Sequence, residues 1–147
     1  MALAERRAFL CWLPLAVAGC RVARSRGKAD HVEVRVVAAD TSWSASYFPQ
    51  NLATGRDVHV PLGAEVSLAL ASRDFVALFS VPSLGLRDFA SPGLAGTLRF
   101  RADREGSYEL RAEELCGQPH GERTRGRILV EEPAAFWSWL DSRTPAL

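Results

Sequence analysis

A carboxylate, a thiol and an imidazole fall close together in one stretch of this 147-residue chain: Glu114, Cys116 and His120. Cys116 and His120 stand four residues apart on what reads as a single loop. A thiolate and an imidazole at this spacing suit a low-coordinate Cu(I) ion. Metal binding there would take the thiol proton and leave a weak, open site that a third ligand could complete. A vestigial motif would show the same residues. The other histidines are His31 and His59, and the other cysteines Cys11 and Cys20. His59 lies between Val58 and Val60 in an alternating run, so it is expected as an exposed strand histidine facing away from both. No nucleophile–histidine–acid set and no Gly-rich phosphate loop is recognisable, so the chain is assigned no catalytic site of its own.

The N-terminus reads as an address. Arg6 and Arg7 precede an apolar run, Ala8 to Gly19. At about 12 residues it is too short for a bilayer span of roughly 20. A positive n-region, a short apolar stretch and small residues before a cut site describe a secretory signal peptide over residues 1–19. Val17-Ala18-Gly19-Cys20 resembles the bacterial lipobox, which makes Cys20 the expected lipidation site and first mature residue. The alternatives are a cleaved soluble protein or an uncleaved short anchor. Arg6-Arg7-Ala8-Phe9-Leu10 also resembles the twin-arginine motif, leaving the twin-arginine and general export routes both open. Residues 20–31 then form a lipidated tether, and the domain faces the periplasm or cell exterior. Cys116 would be the one unmodified thiol left, so no internal disulfide is expected.

Removal of Glu5, Arg6 and Arg7 would leave 16 basic and 16 acidic residues. No strong field recruits nucleic acid, and the hydrophobic fraction of 48% suits one globular domain. Val32, Val34 and Val36 alternate with Glu33 and Arg35; Val66, Leu68 and Leu70 alternate with Ser67 and Ala69; Leu98 and Phe100 are flanked by Arg99 and Arg101. Runs of this kind, bounded by Gly, Pro, Asp and Ser, predict half-buried antiparallel strands in a β-sandwich over residues 32–141. Pro133 opens a short C-terminal helix whose Phe136, Trp137, Trp139 and Leu140 are expected as core or edge cover, followed by a tail at 142–147.

Two stretches carry a family resemblance. Asp74-Phe75-Val76-Ala77-Leu78-Phe79-Ser80-Val81-Pro82-Ser83-Leu84-Gly85-Leu86-Arg87, ending in Pro92-Gly93, is one. Gly106-Ser107-Tyr108 followed by Glu113-Glu114-Leu115-Cys116-Gly117-Gln118-Pro119-His120 is the other. Together with Trp43-Ser44, Tyr47, a closing strand Arg127–Glu131 and Phe136 to Leu140, they resemble the copper domain of cytochrome c oxidase subunit II. The resemblance implies an all-β, cupredoxin-like Greek-key sandwich. It also implies a dinuclear copper centre made from two thiolates, two imidazoles, a thioether and a Glu carbonyl. Carried over by position, the first histidine falls on Ala77 and the first cysteine on Ala112. The methionine falls on Arg123 or Thr124, and the chain's single Met is Met1. Glu114, Cys116 and His120 remain as a residual metal set. Thr41 stands where the family has the tryptophan that receives electrons, and Phe89 where it usually has Asp. Glu114 resembles the family carboxylate that helps bind magnesium against the catalytic subunit; a solvated loop carboxylate is the other reading.

The expected function is an accessory subunit docked on a heme-copper oxidase-type membrane subunit in respiratory electron transport, with lipid replacing the family's transmembrane hairpin. The alternative is a periplasmic lipoprotein that handles one copper ion, as Cu(I), through Cys116 and His120. A stand-alone binding module on the bare sandwich is a third reading.

Overall fold

Among the described residues the alternating runs fold into ten strands in two facing sheets, with a helix closing one side. The computed structural model describes residues 30–48, 51–115 and 121–143. In chain order the strands are β1 (His31–Ala39), β2 (Ser42–Tyr47), β3 (Leu52–Gly55), β4 (Asp57–Pro61), β5 (Glu65–Ser72), β6 (Ala77–Val81), β7 (Leu86–Ala90), β8 (Gly96–Arg101), β9 (Gly106–Glu114) and β10 (Arg125–Glu131). Short 3-10 turns cover Pro82–Leu84 and Gly121–Thr124, and α1 spans Pro133–Arg143. One sheet has the order β3-β2-β1-β5-β8, the other β4-β10-β9-β6-β7. No helix among the described residues is long and apolar enough to cross a membrane.

The inward side chains are those the alternation selects. Val34, Val36, Val66, Leu68 and Leu70 from one sheet meet Val58, Val60, Phe79, Leu110 and Ile128 from the other. Each contributes about 1.5–3 kcal/mol by leaving water. The expectation of wholly antiparallel sheets is corrected: β1 pairs with β5, and β10 with β4, in parallel. A parallel pair requires a crossover. Here β2, β3 and β4 lie between the first pair in sequence, carrying the chain across to the second sheet and back.

Two local features set the loop end of the sandwich, where β1, β5, β7 and β9 finish and β6 begins. Asp40 and Thr41 join β1 to β2 with φ of 52° and 63°, as a two-residue type I′ turn requires. The Asp40 N–H donates to Asp74 Oδ2 at 2.8 Å, tying this turn to the segment leading into β6. At one side of the sandwich the Asp88 carboxylate accepts the N–H groups of Phe89 (2.8 Å) and Thr97 (2.7 Å), bridging β7 to β8 across the sheets. Gly96 allows that approach, since a Cβ there would collide with the Phe89 carbonyl and the Asp88 carboxylate.

The helix meets its expectation. Pro133 supplies the pre-set φ of a first helical position. Phe136 and Leu140, four apart and therefore on one face, are buried, while Trp137 and Trp139 are partly buried against the core.

Candidate functional site

Among the described residues, the positions onto which the resemblance carries ligands lie near the loop end. Strand β6 begins there at Ala77, paired on one side with Glu114 and on the other with Ala90. Ala112 lies opposite Phe79, so it is the diagonal neighbour of Ala77 on the same inward face. Ala77 is 0% exposed and Ala112 1%. Glu114 shares their parity, is half-buried, closes β9 rather than lying in a loop, and is not without a partner. Cys116 and His120 lie outside the described residues, as do Cys20 and the whole of the expected signal and tether up to residue 29.

The candidate thioether positions are also occupied by other work. Arg123 is exposed, and its carbonyl accepts the Ser42 hydroxyl at 3.2 Å. Thr124 is buried; its hydroxyl donates to the Gly121 carbonyl at 2.9 Å, and its carbonyl accepts Trp43 Nε1 at 2.9 Å. Trp43 is thereby a buried strut between β2 and the turn preceding β10. Gly126 must lack a side chain because the Trp43 ring and the Arg56 carbonyl occupy the space of a Cβ.

A dinuclear copper of the kind the resemblance implies does not fit this end. Two of its ligand positions are methyl groups packed in the core, and a methyl has no donor atom. Among the described residues, no three of His, Cys, Asp and Glu come together in a way that could hold a metal.

His59 corrects a second expectation. It does face away from Val58 and Val60, but its side chain is only 14% exposed, because α1 lies over it. The imidazole stacks on Trp139 with ring centroids 3.9 Å apart, and its Nδ1 lies 3.1 Å from Glu131 Oε1. The Tyr47 hydroxyl serves the backbone of the same residue twice, donating to the His59 carbonyl at 2.6 Å and accepting its N–H at 2.5 Å. Burial pushes the Tyr47 phenol well above its ordinary pKa. Sequence reasoning missed Glu131 and the joint role of these groups. The available signal was the order Tyr47, His59, Trp139, which contains the residue types of a stacked cluster but not their proximity.

The outer face of the second sheet carries a balanced charge ladder. Arg127 grips Asp57 with two bonds, at 3.2 and 2.9 Å. Glu109 takes Arg111 at 2.6 Å and Arg125 at 3.5 Å. The hydrogen bond from Arg111 holds the Glu109 carboxyl below its usual range. Beside this ladder is an open cleft of about 660 Å³ in which Arg56, Arg125 and Arg127 face Asp57, Glu109 and Glu122. Exposed pairs of this kind add little stability, and a cleft of zero net charge has no preference for an anion or a cation.

Comparison with known proteins gives the same architecture. The family model for the cytochrome c oxidase subunit II periplasmic domain matches residues 31–129. Cytochrome c oxidase subunit 2 of Thermostichus vulcanus is 35% identical over 78% of this chain and 34% of its own length. An alternative cytochrome c oxidase subunit 2 of Bradyrhizobium diazoefficiens is 30% identical over 59% of this chain and 31% of its own. The chain therefore spans about a third of the length of these curated relatives. Among solved structures, the periplasmic domain of subunit II of cytochrome oxidase of Bradyrhizobium japonicum superposes with a TM-score of 0.69 at 22% identity, over 79% of this chain and 94% of that one. A chain of a heme-copper terminal oxidase dimer gives a TM-score of 0.57 at 21% identity, over 73% of this chain and 68% of that one. With its two-sheet fold, its register and this match over most of the described residues, the chain belongs to the cytochrome c oxidase subunit II periplasmic-domain family.

Proposed function

We propose that this chain is an accessory subunit II-type domain that docks on a heme-copper oxidase-type membrane subunit without passing electrons through a dinuclear copper centre. The observation that carries the reading is the pair of buried methyl groups, Ala77 and Ala112, at the end where the family resemblance implies ligands. A domain that keeps the fold and family motifs while losing those donors retains a surface and a position rather than a redox role. Export, with a lipid on Cys20 holding the domain at the membrane on the periplasmic or outer side, belongs to the same proposal. The test is purification of the full chain from native membranes in mild detergent. A heme-bearing subunit should co-purify, visible in the reduced-minus-oxidised spectrum, and the Cu(II)-loaded chain should lack the seven-line EPR signal of a mixed-valence pair. Absence of heme, or presence of that signal, overturns the reading. Replacing Cys20 by Ser should move the protein from the detergent phase to water; a wild type already in water removes the lipid anchor.

The retention of Glu114, Cys116 and His120 supports a second reading, Cu(I) handling. Glu114 holds its position by pairing with Ala77 at the end of β9, two residues before Cys116. One copper ion per chain would then bind in competition with a Cu(I) chelator. Cys116→Ala should abolish binding and His120→Ala weaken it, with the fold unchanged because the core supplies its stability. Equal, poor competition by wild type and Cys116→Ala would make the pair vestigial.

A further inference from the structure

A formal charge near zero conceals a division along the chain. Between Cys20 and Asp30 stand Arg21, Arg24, Arg26 and Lys28, with no acid among them. From Asp30 onward there are 12 basic and 16 acidic residues, so this part carries four excess negative charges. The two parts meet at a fixed point: the Asp30 carbonyl accepts the Glu65 N–H at 2.9 Å, and β1 begins at the next residue. Around that point the outer face of the first sheet is balanced. His31 pairs with Glu65 and Glu65 with Arg101, while Glu33 pairs with Ser67 and Ser67 with Arg99. Arg35, Arg99 and Arg101 thus offset Asp30, Glu33 and Glu65. The excess acid lies elsewhere on the domain.

We infer that residues 21–28 bind the anionic headgroups of the bilayer that the Cys20 lipid enters, giving the chain a second, electrostatic hold on the membrane. The inference rests on the proposed lipidation of Cys20 and deepens it. Position and charge together select the occupant. Arg21 follows the lipidated residue directly, so it stands at the headgroups. A chain advances at most about 3.3–3.6 Å per residue, which would carry Lys28 about 28 Å from the lipid if the stretch stood upright. An anionic surface attracts only within a Debye length, about 8 Å at physiological salt. Laid along the bilayer, all four cations enter that layer, and each raises partition about fivefold. The competing occupant is the chain's own acidic domain. The balanced face beside Asp30 gives the cations no net attraction where they first meet it. The domain, four charges negative, is repelled by the same bilayer. The basic stretch works against that repulsion and keeps Asp30, and with it the sandwich, close to the surface.

The test uses the mature chain, residues 20–147, with Cys20→Ser so that no lipid contributes. It should bind vesicles of phosphatidylcholine and phosphatidylglycerol in equal parts and be released by added salt. On phosphatidylcholine alone it should stay free. Arg21→Gln, Arg24→Gln, Arg26→Gln and Lys28→Gln together should lower partition by about several hundredfold. Changing the three arginines to Lys should leave it near the starting level, because a headgroup field reads charge. The control for net charge removes four cations from the domain instead: Arg56→Gln, Arg123→Gln, Arg125→Gln and Arg127→Gln, which should keep most of the binding. Equal loss in the two fourfold variants makes net charge the determinant and overturns the inference. A chain that ignores phosphatidylglycerol also overturns it, and a thermal midpoint lowered by the four substitutions at 21–28 would then assign these cations to the domain's own acids. Lipidation is read separately, by detergent-phase partition of the exported full chain. An unlipidated chain whose Cys20→Ser form still binds the anionic vesicles overturns the lipid anchor and leaves the headgroup contact standing.

Discussion

At the loop end of the sandwich, Ala77 and Ala112 turn methyl groups into the core; on the helix side, Tyr47, His59, Glu131 and Trp139 form a closed set of stacked rings and hydrogen bonds. The first region is where the family resemblance implies imidazole and thiolate chemistry. The second is where the chain spends its one histidine among the described residues that is held by several partners. A histidine's role is thus set by what surrounds it. His59 has lent one ring face to Trp139 and one nitrogen to Glu131, which makes it a fastening for α1. The loop end, in turn, is tied by Trp43 on Thr124, by the Asp40–Asp74 bond and by apolar packing. The cluster that fastens α1 and the positions that the resemblance makes ligands lie in different parts of this molecule.

If that division is right, the largest loss should come from the helix side. Phe136→Ala should cost about 3–5 kcal/mol, because a fully buried ring leaves a cavity between α1 and the sheets. A loss under about 1 kcal/mol in urea unfolding would mean that the helix is peripheral. At the loop end, Ala77→His tests whether a ligand-sized hole survives. The site is fully buried, so the ring should overpack and cost about 1–3 kcal/mol. A neutral result would show a retained cavity and blunt the contrast drawn above.

Tyr47→Phe separates the hydroxyl from the ring. It leaves the His59 N–H without its acceptor and should cost about 1–3 kcal/mol at neutral pH. The pH profile gives the finer reading. Burial raises the folded-state pKa of Tyr47, whereas the unfolded phenol ionises near its ordinary value of about 10. The unfolded state therefore loses its proton first, and wild-type stability is complete below about pH 10 and declines above it. Tyr47→Phe should lack that component of the alkaline slope; identical slopes would place the phenol in contact with water.

The smallest expected effect is a gain. Thr41 is β-branched yet holds φ of 63° in the β1–β2 turn. The left-handed region costs such residues about 1–2 kcal/mol, and glycine returns part of that saving as chain entropy. Thr41→Gly should stabilise by about 0.5–1 kcal/mol, read as a small rise in the unfolding midpoint. A loss instead would mean that the Thr41 side chain is held by contacts that outweigh the strain.

Alternation of apolar and polar residues determined by itself which face of β1, β5 and β8 is buried, because a strand's side chains point to opposite sides with period two. Pro133 and the aromatic spacing likewise determined α1. The same residues determined what positions 77 and 112 can do, since alanine carries no donor atom in any fold. Strand direction was not legible: whether β1 and β5 run parallel depends on where the intervening strands travel, and no local pattern records a crossover. The fate of His59 was not legible either. Alternation said which way it faces, and only the docking of α1, eighty residues away along the chain in rough terms, decided that this side was covered. Trp139 and Glu131 reach His59 through packing of the last strand and helix against β4, a long-range juxtaposition that tertiary structure alone can supply.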